Sequence, residues 1–269
     1  MLELGLLNTI ALISIIVLGI PHGGLDAAIS RKKGWSKTKI NTIYFHVFYL
    51  SLTSLIIALW HFFPLISLIL FLAISALHFG YSDLNNSKDI RIDALISHGG
   101  IVPIIIPYFQ ADLVLEFFSI LSGQENAAIV ITIINYTIFP WAAFFVIYTF
   151  NVIRKKTYSF NYTQLLLMLI LALIFPPLVS FSIYFCIIHS PRHIFIILNE
   201  MNSHERLRAI KETIFYSLTA FLLMFTVGYF LASSYIITDS IIKVVFIGLA
   251  ALTVPHMILI DYFESLEKE

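Results

Sequence analysis

The sequence predicts an all-α, polytopic integral membrane protein: a bundle of about eight or nine transmembrane helices forming a single domain over residues 1–269. Three observations carry this. Hydrophobic residues make up 59% of the chain and the mean hydropathy is +0.92, well beyond the roughly half-apolar composition of a soluble domain. Charged residues are only 12%, and they gather between long apolar runs. Those runs have the right length, because crossing about 30 Å of hydrocarbon as a helix takes about 20 residues.

In order, the runs lie near residues 4–20, 42–63, 65–80, 93–109, 126–150, 162–175, 178–198, 213–233 and 241–263. The first is followed by Pro21-His22-Gly23-Gly24 rather than by a small-residue cleavage motif, so it reads as a retained span. The fourth is interrupted by glycine and proline. The sixth is short, and Pro176-Pro177 separates it from the seventh. If one of these segments is re-entrant, the spans number eight. No repeat, low-complexity tract or linker marks a second domain.

Sixteen basic residues balance sixteen acidic ones, which leaves no electrostatic case for nucleic acid. The single Cys186 excludes an intrachain disulfide framework and a cysteine-built metal site. Orientation follows from the excess of Lys and Arg on cytoplasmic loops. With the N-terminus outside and the C-terminus cytoplasmic, as for a multi-pass protein of the cell (inner) membrane, the inner segments hold Arg31, Lys32, Lys33, Lys37, Lys39, Lys88 and Arg91. They also hold Arg154, Lys155, Lys156, Arg206, Arg208, Lys211 and Lys268. The outer connection at 110–125 carries Asp112, Glu116 and Glu125 with no basic residue. This orientation sets His22, His78, His98, His189, His193 and His256 at one level, toward the cytoplasmic leaflet.

Ionisable groups inside a membrane are costly and mark function, and neutral imidazole is the commonest ligand for a transition metal. His189-Ser190-Pro191-Arg192-His193 places two histidines four residues apart. On an unbroken helix they would share a face. Pro191 interrupts that helix, either by a kink or by a fresh start with Ser190 as N-cap and Pro191 in the first turn. Pro21-His22-Gly23-Gly24-Leu25-Asp26 and His78-Phe79-Gly80-Tyr81-Ser82-Asp83 each combine a histidine at a span end, glycine for close backbone approach, and an aspartate four or five residues on. Such an aspartate can accept the second ring N–H of a ligating histidine. Arg192 either pairs with Asp26 or Asp83 or snorkels to the inner interface. His98-Gly99-Gly100 and Pro255-His256 rank second as ligand candidates, while His46, His61 and His204 read as interfacial.

Four imidazoles without a thiolate suit iron, zinc, copper or nickel. Open positions on such an ion are compatible with oxygen chemistry on an apolar substrate that enters from the lipid bilayer.

In motif order and hydropathy, the set Pro21-His22-Gly23-Gly24-Leu25-Asp26, His78-Phe79-Gly80, His98-Gly99, His189-Ser190-Pro191-Arg192-His193 and Pro255-His256 resembles the Brp/Blh family of β-carotene 15,15′-dioxygenases. The resemblance implies an integral membrane enzyme that splits the central double bond of β-carotene with O2 into two molecules of all-trans-retinal, with the product available to a rhodopsin. It implies an iron cofactor, Fe(2+), held by His22, His78, His189 and His193. Asp26, Asp83, His98, Arg192 and His256 are then supporting or lower-ranked candidates. One departure is Ala27, which stands where many relatives are associated with a histidine, so no ligand is assigned there. The competing classes are a transporter or ion-binding protein with an intramembrane His/Asp/Arg relay, a di-iron desaturase or hydroxylase, and a haem carrier. The single HxxxH pair is too few for the second, and the histidine spacings do not supply the third.

Overall fold

The computed structural model describes residues 5–84, 90–156 and 160–266, with side chains to residue 260. Lys88 and Lys268, used above for orientation, lie outside the described residues. Among the described residues all regular structure is helical. The α-helical segments are α1 (Leu6–Ser14), α2 (Ile20–Gly23), α3 (Asp26–Lys32), α4 (Lys39–Phe62), α5 (Pro64–Leu84), α6 (Ile92–Gly99) and α7 (Ile106–Phe109). They continue with α8 (Ala111–Ser122), α9 (Gln124–Lys155), α10 (Phe160–Ile174), α11 (Pro177–Ser182), α12 (Ser190–Asn199), α13 (Ser203–Leu231) and α14 (Ile237–Leu266).

Among the described residues, seven stretches are long and apolar enough to cross a membrane: Leu6–Lys32, Lys39–Phe62, Pro64–Leu84, Gln124–Lys155, Pro177–Asn199, Ser203–Leu231 and Ile237–Ile260. The pair Ile92–Gly99 and Ile101–Phe109, bent by 46°, makes an eighth. The expected sixth run is α10, whose 15 residues reach only about 22 Å at 1.5 Å per residue. The apolar side chains confirm the solvent. On α13 only Ala209 and Ser217 are buried, while Phe215, Leu218, Leu222 and Phe225 are exposed. A helix that turns its apolar residues outward is stable in lipid and not in water. The chain is a multi-pass membrane protein.

Among the described residues three stretches wind as π-helix: Ile15–Gly19, Ile101–Ile105 and Ile183–His189. Each ends two residues before a proline, namely Pro21, Pro107 and Pro191. A proline cannot donate to the carbonyl four residues back, and its ring collides with that carbonyl. The three carbonyls concerned belong to Val17, Pro103 and Ile187, all inside the π segments. Widening the turn there absorbs the conflict, and it re-phases the helix just before His22, just after His98 and at His189. Such turns often sit at functional sites. The fresh start expected at Pro191 does not occur: the helix runs without interruption from Pro177 to Asn199, π-wound up to His189 and α-helical from Ser190, with Pro191 taken up in its path. The expected cap is not made, since Ser190 Oγ is buried with no hydrogen-bond partner among the described residues.

Three boundaries differ from the sequence expectation. The first helical path does not stop at His22 but turns at Gly24-Leu25 and continues as α3 to Lys32. The connection at 110–125 is largely the helix α8, which buries Val114, Phe117, Phe118 and Leu121, the spacing of an amphipathic helix. The penultimate span starts ten residues early, at Ser203, behind a capping box in which Asn202 and Glu205 satisfy each other's backbone N–H groups.

The chain groups into two compact units. One comprises the residues up to Leu12 with Pro64–His189, the other Ile13–Phe63 with the chain from Ser190 onward. In the first unit, α5 packs on α6, α6 on α9 and α8 on α9. The α5–α6 contact is made by glycines: a Cβ on Gly99 would lie 2.2 Å from the Ala76 carbonyl oxygen, and one on Gly80 2.8 Å from that of Leu95. Arg91 binds Asp93 through two bonds of 3.1 and 2.6 Å, and Asn151 donates to the same carboxylate at 3.1 Å. In the second unit, α4 and α13 pack on α14, around a core of Leu25, Ala28, Ile29, Phe45, Met201, Ala209 and Leu259. Ion pairs tie its polar end, with Arg31 2.6 Å from Glu212 and Lys32 bound to Glu200.

Candidate metal centre

Both histidine–glycine–aspartate motifs fold so that the aspartate reaches another helix. In the second unit Asp26 opens α3. One of its oxygens accepts from His256 Nδ1 of α14 at 2.7 Å, and the other accepts from the Tyr49 hydroxyl of α4 at 2.7 Å. In the first unit Asp83 closes α5. Its oxygens lie 3.3 Å from His98 Nδ1 and 3.2 Å from the donating Tyr184 hydroxyl. All four histidine and aspartate side chains are at most 5% exposed. The carboxylates thus fix partner imidazoles by tautomer, with the ring N–H directed to the acid and the lone pair on Nε2.

The second unit brings three imidazoles together. His22 lies with its ring centroid 4.3 Å from that of His193 and 4.8 Å from that of His256, and His193 and His256 are 5.1 Å apart. His22 and His256 are buried and His193 half-buried. Arg192, beside His193 on α12, is half-buried.

The first unit holds His78 and His189 with their Nε2 atoms 3.2 Å apart. Ser82 Oγ sits 3.2 Å from His189 Nδ1. With that Nδ1–H donating to Ser82, the His189 lone pair is on Nε2, facing His78. His189 is wholly buried, its ring enclosed by Phe79, Tyr184 and Phe185 at centroid distances of 5.1, 6.0 and 5.8 Å. His98 stands apart from this pair: its ring faces Tyr148 at 5.8 Å, and its Nε2 is buried without a hydrogen-bond partner among the described residues.

These donors fit a transition metal. Two nitrogens each about 2.1 Å from one ion, at the angles of octahedral or tetrahedral coordination, stand about 3.0–3.4 Å apart, which is the His78–His189 separation. Imidazoles whose second nitrogens are bonded to acids or hydroxyls are the usual arrangement around a metal. The only thiol, Cys186, is engaged with Ser182 at 4.0 Å, so the centre is one of histidine. Ser82→Ala removes the group that orients His189, and metal affinity should fall about 10- to 100-fold, measurable by titrating metal into purified protein.

Of the residues singled out from sequence, His22, His193, His256 and Asp26 gather in one unit, and His78, His189, His98 and Asp83 in the other. His256 ranks higher than the sequence placed it. Tyr49, Tyr184 and Ser82 were missed. Nothing marks the two tyrosines that reach the aspartates among thirteen, although Ser82 lies inside the His78–Asp83 motif. His46, read as interfacial, is bonded to the Thr42 carbonyl and to the Tyr216 hydroxyl, both at 2.7 Å.

Comparison with known proteins supplies the family. Residues 13–264 match the family described as Beta-carotene 15,15'-dioxygenase. The chain is similar to a Beta-carotene 15,15'-dioxygenase from the uncultured marine bacterium 66A03, at 37% identity over 262 residues that cover 96% of this chain and 94% of that protein. No solved structure matches it. Since the matched region runs from before His22 to beyond His256 and takes in every helix that carries a candidate ligand, the chain belongs to the β-carotene 15,15′-dioxygenase family.

Proposed function

We propose that this protein is an iron-dependent membrane dioxygenase that cleaves the central 15,15′ double bond of β-carotene. One C=C bond is broken and each carbon takes one atom of O2, giving two molecules of all-trans-retinal. The observation that carries the reading is the buried histidine centre inside a membrane protein of this family. The iron ligands are His22, His78, His189 and His193, with the iron as Fe(2+). When bound, the metal supplies the activation of dioxygen.

The chain's own groups do the rest. Ser82 holds His189 in the tautomer that presents Nε2. Phe79, Tyr184 and Phe185 pack around that ring and keep water from it. Phe79 also stands edge-on to Tyr184 at 5.0 Å, so this wall is held in place from both sides. An apolar polyene needs no desolvation to leave the bilayer for such surroundings, and a fixed register beside the histidines selects which bond reacts. The protein sits in the cell inner membrane with its N-terminus outside and C-terminus in the cytoplasm, and its retinal is available to a rhodopsin.

Expression in a β-carotene-producing bacterium tests the reaction. The orange colour should fade as retinal accumulates, and the conversion should stop without oxygen. Unchanged carotenoid would overturn the reading and favour an ion or solute carrier.

A further inference from the structure

We infer that His256 is a further ligand of the metal, and that Asp26 and Tyr49 are positioning residues that aim it. The inference rests on the metal reading above and extends its ligand set into the last helix.

Three facts about His256 converge. It is 3% exposed, two-thirds of the way along a 30-residue apolar helix, where an imidazole with no polar task is a cost. Its Nδ1 is committed to Asp26 at 2.7 Å, which leaves Nε2 as the atom with a lone pair. Its ring also lies 4.8 Å from that of His22 and 5.1 Å from that of His193. Both are expected ligands, and they are themselves 4.3 Å apart. A structural role explains the bond to Asp26 but not why three imidazoles converge in a hydrophobic interior. A shared cation explains both.

Asp26 does not act alone. Its other oxygen is held by the Tyr49 hydroxyl at 2.7 Å, and that hydroxyl also approaches the Leu252 carbonyl of α14 at 3.5 Å. Tyr49 therefore braces the carboxylate against the helix that carries His256. Pro255, immediately before His256, cannot close the helical bond to Ala251, which leaves this turn of α14 dependent on its neighbours for its direction. Around Asp83 the same three residue types recur, but there the imidazole of His98 faces Tyr148 rather than another histidine. The ring neighbours, not the aspartate bond, single out His256.

The test uses the full-length protein in detergent, freed of metal and refilled with cobalt(II). The readouts are stoichiometry, affinity and visible absorption. Wild type should take up the ion stoichiometrically. In His256→Ala, cobalt affinity should fall at least 10-fold and the ligand-field bands should change, and added imidazole should restore the bands by entering the vacated space. Asp26→Asn should weaken affinity about 10- to 100-fold and Tyr49→Phe by less, in the same direction. If the alanine variant fails to fold, His256→Leu repeats the measurement with an apolar side chain suited to a membrane helix. Wild-type affinity and bands in either His256 variant overturn the inference and leave carotene cleavage standing. A wild-type protein that binds no metal overturns both.

Discussion

Alanine at any one of His22, His78, His189 or His193 is expected to abolish retinal formation and to lower the bound iron. Each change removes a nitrogen donor from the proposed site. His22, His78 and His189 are at most 5% exposed, so water has poor access to fill the gap. At His189 the loss is compounded, because its ring is the surface on which Phe79, Tyr184 and Phe185 close. Retinal measured in carotene-producing cells, with iron content measured on the purified variants, checks the expectation. His46→Ala is the control: its ring is bonded to Thr42 and Tyr216, away from the histidine groups, and retinal formation should persist. Full activity in any of the four variants would remove that residue from the ligand set.

The second large effect is one of packing. Gly99→Val should destroy the folded protein, whereas Gly248→Ala should leave it intact or slightly firmer. At Gly99 even the first added carbon would stand 2.2 Å from the Ala76 carbonyl oxygen and 3.5 Å from the Gly80 Cα. The obstacle is backbone, which cannot rotate away. α5 and α6 would have to separate, breaking the Asp83–His98 contact at 3.3 Å. Overpacking against side chains costs about 1–3 kcal/mol, and a backbone obstacle has less room to relax. An added Cβ at Gly248 meets nothing within 4 Å, so alanine there gains about 0.5–1 kcal/mol from the helix alone. Thermal unfolding in detergent separates the two. Equal midpoints would show that the α5–α6 contact is looser than the glycine geometry requires.

Much of this was legible beforehand. Hydropathy located the long spans, and the glycine of His78-Phe79-Gly80 foretold a close helix approach that Gly80 makes; that Gly99 is its counterpart on α6 was not read from the sequence. The helix α8 was legible too, in the spacing of Val114, Phe117, Phe118 and Leu121, but the charges around it read as a connecting loop. The destinations of Asp26 and Asp83 were not legible. Sequence proximity pairs each with the histidine of its own motif, while the bonds to His256 and His98 join residues 230 and 15 positions apart.

By itself, the sequence determined the solvent, the helical class and the residue types able to hold a metal, because these follow from local composition and from the cost of a polar group in lipid. Only the tertiary structure decided which tautomers are held and by whom. It gave Asp26 to His256 and Tyr49, and Asp83 to His98 and Tyr184. The physical reason is that a hydrogen bond of 2.7 Å depends on helix phase to within a fraction of a turn. In this chain the phase is reset by π segments ahead of Pro21 and Pro191, and the periodicity of an ordinary helix does not reveal them.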